Sequence, residues 1–179
     1  MLNVIETGIE GAFLIKNYHF NDSRGVFIKT FDKESIKKKY KKKYVFNEIY
    51  YSISKKNVIR GMHFQLPPFD HDKLVSCISG EVLDVIIDLR KSSPSYLVIN
   101  DQILNSKGVS LLIPKGCAHG FLSLRENSIL AYNVSTVFSE KHDSGLLWNS
   151  IGYEWPIKNP IISNRDQSLY SLSEFKTPF

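Results

Sequence analysis

Five histidines are distributed along the 179 residues, and the company each keeps limits the chemistry open to it. His63 stands in the apolar run Gly61-Met62-His63-Phe64-Gln65. An imidazole titrates near working pH, so there it is either a satisfied core residue or a group that moves a proton. His119 closes the segment Gly108-Val-Ser-Leu-Leu-Ile-Pro114-Lys-Gly116-Cys-Ala-His119. Proline ends a strand, Gly116 accommodates a tight turn, and the histidine begins the returning strand. His63 and His119 are two histidines without a carboxylate partner and fall short of a three-ligand metal site, so no metal is expected. Cys77 and Cys117 form no CxxC and no Cys/His cluster, which makes them buried small hydrophobes rather than a disulfide or zinc framework.

These residues need a scaffold, and the composition bounds it. With 42% hydrophobic and 23% charged residues the chain reads as one soluble domain over residues 1–179 with a sizeable core. Glu6 and Glu10 interrupt the apolar start, and no run approaches a membrane span, so neither a signal peptide nor a membrane partner is expected and the location is read as cytoplasmic. The net charge of +5 is concentrated in Lys37-Lys38-Lys39-Tyr40-Lys41-Lys42-Lys43, a solvated surface. Basic residues do not recur with interleaved aromatics as a phosphate-tracking groove requires, which argues against nucleic acid.

Short runs rich in Ile, Val, Phe and Tyr recur at 26–31, 45–54, 58–64, 73–79, 82–89, 96–104, 109–113 and 128–136. That spacing predicts an all-β barrel or sandwich. Only 32–44 reads as a helix, with Asp32 as its N-cap and lysines toward its C-terminal end. In 82–89, alternation puts Leu83, Val85, Ile87 and Leu89 on one face and Val82, Asp84, Ile86 and Asp88 on the other. Asp84 is thus either a surface residue or part of a polar barrel lumen.

The His119 segment matches the second motif of the cupin barrels. The wider set Asp22-Ser-Arg24-Gly25, Arg60-Gly-Met-His63-Phe-Gln65, Pro67-Pro68, Lys73-Leu-Val, Gly80-Glu-Val-Leu-Asp84-Val, Tyr132, Gly145-Leu-Leu-Trp148-Asn149 and Trp155-Pro156 closely resembles the nucleotide-sugar 3,5-epimerases acting on dTDP-4-dehydro-6-deoxyglucose. The resemblance implies a cupin jelly-roll barrel with a few short helices, no cofactor, and a homodimer with exchanged N-terminal strands. It also implies inversion at C3 and C5 of a 4-keto sugar, with His63 as base, Asp166 as its carboxylate partner, Lys73 beside the enolate oxygen and Tyr132 as acid. Arg24, Phe27 and Arg60 match nucleotide-binding positions, and Ser52, Gln65, Asp84 and His119 join them as substrate-binding residues. Strict alternation would point Arg60 away from His63, so either the strand bends or Arg60 serves at the rim.

Departures from the family pattern bear on the substrate. Lys29 replaces a glutamate, and Glu48 followed by Tyr50-Tyr51 replaces a glutamine followed by Asn-His, so the base pocket is rebuilt. A carboxylate at 48 suits the two donors of guanine, which favours a GDP-linked 4-keto heptose of surface-polysaccharide biosynthesis over the dTDP-linked hexose. Val137-Phe138 replaces a tyrosine pair, which raises C3-only epimerisation. A non-catalytic carbohydrate-binding cupin is the alternative outside enzyme chemistry.

Overall fold

The computed structural model describes residues 1–40 and 43–179. Lys41 and Lys42, within the expected helix and its lysine-rich end, lie outside the described residues. The chain builds a jelly roll from two antiparallel sheets. One runs in the order β1 (Asn3–Glu6), β2 (Phe13–Lys16), β10 (Val109–Ile113), β7 (Lys73–Ser79), β12 (Ser128–Val134), β5 (Glu48–Ser54). The other runs β13 (Asp143–Gly145), β6 (Ile59–Gln65), β11 (Cys117–Ser123), β8 (Glu81–Asp88), β9 (Ile99–Asn105). A separate hairpin pairs β3 (Tyr18–Asp22) with β4 (Gly25–Lys29).

Three apolar layers follow from the period-2 pattern. Val75, Cys77, Val82, Ile86, Phe121, Leu130 and Tyr132 fill the space between the sheets. Outside the first sheet, Leu74, Leu112 and Ile15 pack against Ile36 of the helix α1 (Lys33–Tyr40). Asp32 caps that helix, its carboxylate accepting from the Glu34 N–H and the Ser35 hydroxyl. Outside the second sheet, Leu83, Val85, Ile87, Met62 and Phe64 are covered by Trp155, Leu172, Phe175 and Phe179. Both faces of β8 are therefore buried, and Asp84 lies with Val82 and Ile86 in the lumen at 0% exposure.

Strand β5 is an edge, and its outward residues Ile49, Tyr51 and Ile53 are exposed. The strand expected over 96–104 starts later, at Ile99, because 96–98 form a turn with Leu97 at φ 62°. A bulge decides the geometry of β6. His63 pairs with His119 and Arg60 with Phe121, so three residues of β6 span two of β11. The strand bends, and Arg60 and His63 come to the same face. The bend rests on two glycines in contact: a Cβ on Gly61 would lie 2.4 Å from Gly120 Cα, and one on Gly120 would lie 2.7 Å from Met62 Sδ.

Candidate active site

A cavity of about 390 Å³ opens between the sheets, lined by His63, Lys73, His119 and Tyr132 together with Glu48, Ser52, Arg60 and Gln65. His63, His119 and Arg60 come from one sheet, and Lys73, Tyr132, Glu48 and Ser52 from the other. Packed sheets stand ~10 Å apart, so a single six-membered ring fits between a group on each wall.

Asp166 stands behind His63. It belongs to α2 (Asn164–Gln167), a turn of helix whose N-cap Ser163 accepts from the Asp166 N–H. Asp166 Oδ1 is 2.8 Å from His63 Nε2, and Oδ2 accepts from the Gly61 N–H at 3.1 Å. Burial alone would raise this carboxyl. The hydrogen bonds from His63 and Gly61 and the charge of Arg165 outweigh it and hold Asp166 below the ordinary carboxylate range. The carboxylate thereby fixes the orientation of the imidazole in the cavity wall. Arg165 Nη1 touches the same Nε2 at 2.8 Å and Asp166 Oδ1 at 3.2 Å, while Nη2 donates to Asp143 Oδ2 at 2.5 Å.

The opposite wall carries Tyr132, whose hydroxyl lies 3.3 Å from Ser52 Oγ and whose ring stacks on Tyr50 with centroids 4.9 Å apart. Burial pushes the Tyr132 phenol well above its usual range, keeping it protonated. Lys73 is 7% exposed, and burial lowers its ammonium to about 8, with Asp84 and Asp143 pulling the other way. Beneath them Asp84 Oδ2 is 2.8 Å from His119 Nε2, and burial holds the His119 imidazole toward its neutral form. An imidazole, an ammonium and a phenol thus share one space, the first on one sheet and the other two on the opposite one.

Glu48 is engaged in structure. Its Oε2 accepts from the Phe138 N–H at 2.8 Å, and Gln65 Oε1 accepts from the Ser139 N–H at 2.6 Å, so together they pin the segment bearing Phe138 at the cavity mouth. Arg24, Phe27 and Lys29 lie on the β3–β4 hairpin and do not line this cavity; Arg24 pairs with Asp22 at 2.6 Å and Phe27 is 58% exposed. The sequence reading gave no role to Tyr50, His71, Asp143 or Arg165, all of which line the cavity. The position of Arg165 beside Asp166 was a usable signal, whereas His71 sits among loop residues that carry no periodicity. Among the described residues, no group of three or more His, Cys, Asp or Glu side chains is placed to hold a metal, and no helix is long and apolar enough to cross a membrane.

Comparison with known proteins bears on the chemistry. The sequence profile of the family described as dTDP-4-dehydrorhamnose 3,5-epimerase matches residues 6–174. The chain is 37% identical over 170 residues to dTDP-4-dehydrorhamnose 3,5-epimerase of Shigella flexneri, covering 92% of this chain and 93% of that one. It is 35% identical over 176 residues to the enzyme of that name from Methanothermobacter thermautotrophicus, covering 95% and 94%. A crystal structure of dTDP-4-dehydrorhamnose 3,5-epimerase from Bacillus anthracis with TDP and PPi bound superposes with a TM-score of 0.90 at 37% identity, over 96% of this chain and 100% of that one. The Legionella pneumophila dTDP-6-deoxy-D-glucose-3,5-epimerase, in complex with dTDP-4-keto-L-rhamnose, gives 0.91 at 28% identity over 98% and 95%.

Proposed function

The chain belongs to the dTDP-4-dehydrorhamnose 3,5-epimerase family, and from that premise we propose that it inverts C3 and C5 of a dTDP-linked 4-keto-6-deoxyhexose through an enolate. The observation that carries the proposal is the opposition of His63, backed by Asp166, on one sheet to Tyr132 on the other, with Lys73 in the same cavity.

The C4 ketone acidifies the hydrogens on C3 and C5. The His63 imidazole takes one of them, and the electron pair moves onto the C4 oxygen as the enolate forms. The Lys73 ammonium stabilises that oxygen in a water-poor site, where such a charge is worth several kcal/mol. Tyr132 then protonates the carbon from the other face, and the Ser52 hydroxyl donates to the phenolate so formed. Asp166 holds the imidazole in the tautomer the first step needs and stabilises the imidazolium that results. Arg60, at the cavity wall, offers a planar fork to the diphosphate.

The dTDP reading is preferred to a GDP-linked heptose on two grounds. The Shigella and Methanothermobacter relatives are named for dTDP, and the Glu48 oxygen that would serve guanine is bonded to the Phe138 N–H. The hairpin residues Arg24, Phe27 and Lys29 and the apolar stripe Ile49, Tyr51, Ile53 support a homodimer in which each hairpin serves the partner's cavity. A second reading, epimerisation at C3 alone, would rest on Phe138, which brings no hydroxyl to the cavity mouth.

Deuterium uptake in heavy water tests both the reaction and the nucleotide. Incubation with dTDP-4-keto-6-deoxyglucose should introduce two deuterons above an enzyme-free control. One deuteron selects the C3-only form, and uptake solely from a GDP-4-keto heptose overturns the dTDP assignment. Absence of uptake from either compound removes the epimerase reading.

A further inference from the structure

His71 lies in the loop 66–72 that joins β6 to β7, a loop distinguished in the sequence by Pro67, Pro68 and the Asp70-His71-Asp72 cluster, and its ring forms part of the cavity wall beside Lys73. The loop is tied down from several directions. The Leu66 N–H donates to His142 O at 2.8 Å, the Asp72 N–H to Ser135 Oγ at 2.9 Å, and the Thr136 hydroxyl to Phe69 O at 2.8 Å. The imidazole is held by one edge only. Its Nδ1 is 3.2 Å from Gln65 Nε2 and 3.4 Å from Thr136 Oγ1, and Nε2 makes no hydrogen bond among the described residues.

That asymmetry matters because a neutral imidazole presents one donor and one acceptor, and a polar atom in a dry cavity costs free energy until it is paired. His63 has a carboxylate behind it and His71 has none. Burial and the neighbouring Lys73 charge together lower the His71 ring to about 3, so at neutral pH it stays neutral, with one N–H donor and one acceptor. It is suited to hydrogen bonding and unsuited to proton abstraction.

We propose that His71 is a substrate-binding residue that pairs through Nε2 with a ring hydroxyl of the sugar. This rests on the epimerase reading above. The residue adds discrimination for the hexose moiety and contributes nothing to the hold on the nucleotide, which the arginines grip.

The test is isothermal titration of dTDP and of dTDP-L-rhamnose, a stable reduced sugar nucleotide, into the wild-type protein and the His71→Phe and His71→Gln variants. Phenylalanine fills the space without a hydrogen bond, and glutamine restores one. His71→Phe should bind dTDP-L-rhamnose about tenfold more weakly, the scale of one buried hydrogen bond, and bind dTDP as the wild type does. His71→Gln should recover most of the loss. Equal weakening toward both compounds would show that the residue only supports the loop, and unchanged affinity of His71→Phe for dTDP-L-rhamnose would overturn the assignment while leaving the epimerase reading intact. If the wild-type protein binds neither compound, the epimerase reading fails and the assignment falls with it.

Discussion

Asp166 Oδ1 and His63 Nε2 meet at 2.8 Å across 103 positions of sequence, while the other oxygen of the same carboxylate accepts from the Gly61 N–H two residues before the histidine. One carboxylate thus fixes both the ring and the backbone that carries it. Asp166→Asn keeps the shape but offers an amide that need not accept from Nε2. We predict a fall in kcat of about 10² to 10⁴, the range general-base groups contribute, with little change in the affinity for dTDP by titration. Activity within twofold of wild type would dismiss the pair as structural.

Base and acid can be separated by isotope. Tyr132→Phe removes the phenol while leaving its stacking on Tyr50. His63 can still take the substrate proton and return one from solvent to the same face. The prediction is deuterium incorporated with configuration retained and epimerised product reduced at least a hundredfold, followed by mass spectrometry and NMR. Inverted product formed at the wild-type rate would assign the acid elsewhere.

Lys73 sets an alkaline limit. Its ammonium titrates at about 8 because burial disfavours the charge, and the protonated form is the one that stabilises the enolate. The rate should therefore fall as pH rises through about 8, and a flat kcat/KM profile from pH 7 to 10 would exclude the role. The linkage has the opposite sign for stability. Between about 8 and the unfolded value of 10.5 the unfolded chain binds more protons, so stability rises with pH over that window. Lys73→Met should accordingly be inactive yet more stable at pH 7, by up to roughly 3 kcal/mol, measured by urea denaturation.

The inner strands were legible because burial writes itself into alternation. Residues 73–79, 82–89 and 109–113 are apolar at the needed period and match β7, β8 and β10. Strands β1, β2 and β3 escaped because they are four or five residues long, and β3 is exposed along most of its length, so no core imposes a pattern on it. At the site, the resemblance located His63, Lys73, Tyr132 and Asp166, whereas alternation alone misdirected Arg60. A bulge adds one residue to the count, and only the facing glycines 61 and 120 hint at it. Asp84 remained ambiguous between lumen and surface until the pairing of β8 with β11 placed Phe121 opposite it. His71 stood out in the sequence only as a member of the Asp70-His71-Asp72 loop cluster, since its place in the cavity depends on how that loop folds back over Gln65 and Thr136.

The glycine contact beneath the bulge is open to direct challenge. A methyl on Gly120 would meet Met62 Sδ at 2.7 Å and Arg60 O at 3.0 Å. Gly120→Ala should cost about 1 to 3 kcal/mol of stability, as overpacking does, and should displace Arg60 and His63 together, lowering kcat as well as raising KM. A variant as stable and active as wild type would show that the contact relaxes freely.

Arg24 and His63 offer a test of assembly. If each hairpin serves the partner's cavity, Arg24→Ala and His63→Asn homodimers each have two damaged sites, but a mixed dimer has one intact. Mixing the two weak proteins after mild dissociation should restore up to about a quarter of wild-type activity, since random exchange makes half the dimers mixed and each carries one good site of two. Failure to recover activity, with mixed dimers verified by native mass spectrometry, would return the hairpin to its own subunit.

The distance in sequence between His63 and Asp166 also orders events on the ribosome. Once β6, β7 and β12 have been translated, the nascent chain already carries histidine, lysine and tyrosine, yet the imidazole has no carboxylate behind it. Asp166 arrives with the stretch that lays Phe175 and Phe179 against Phe64 and seals the outer face of the second sheet. Translation therefore delivers the carboxylate and the outer cover of the second sheet in one closing stretch, and the imidazole gains its partner only as the sheet that carries it is sealed.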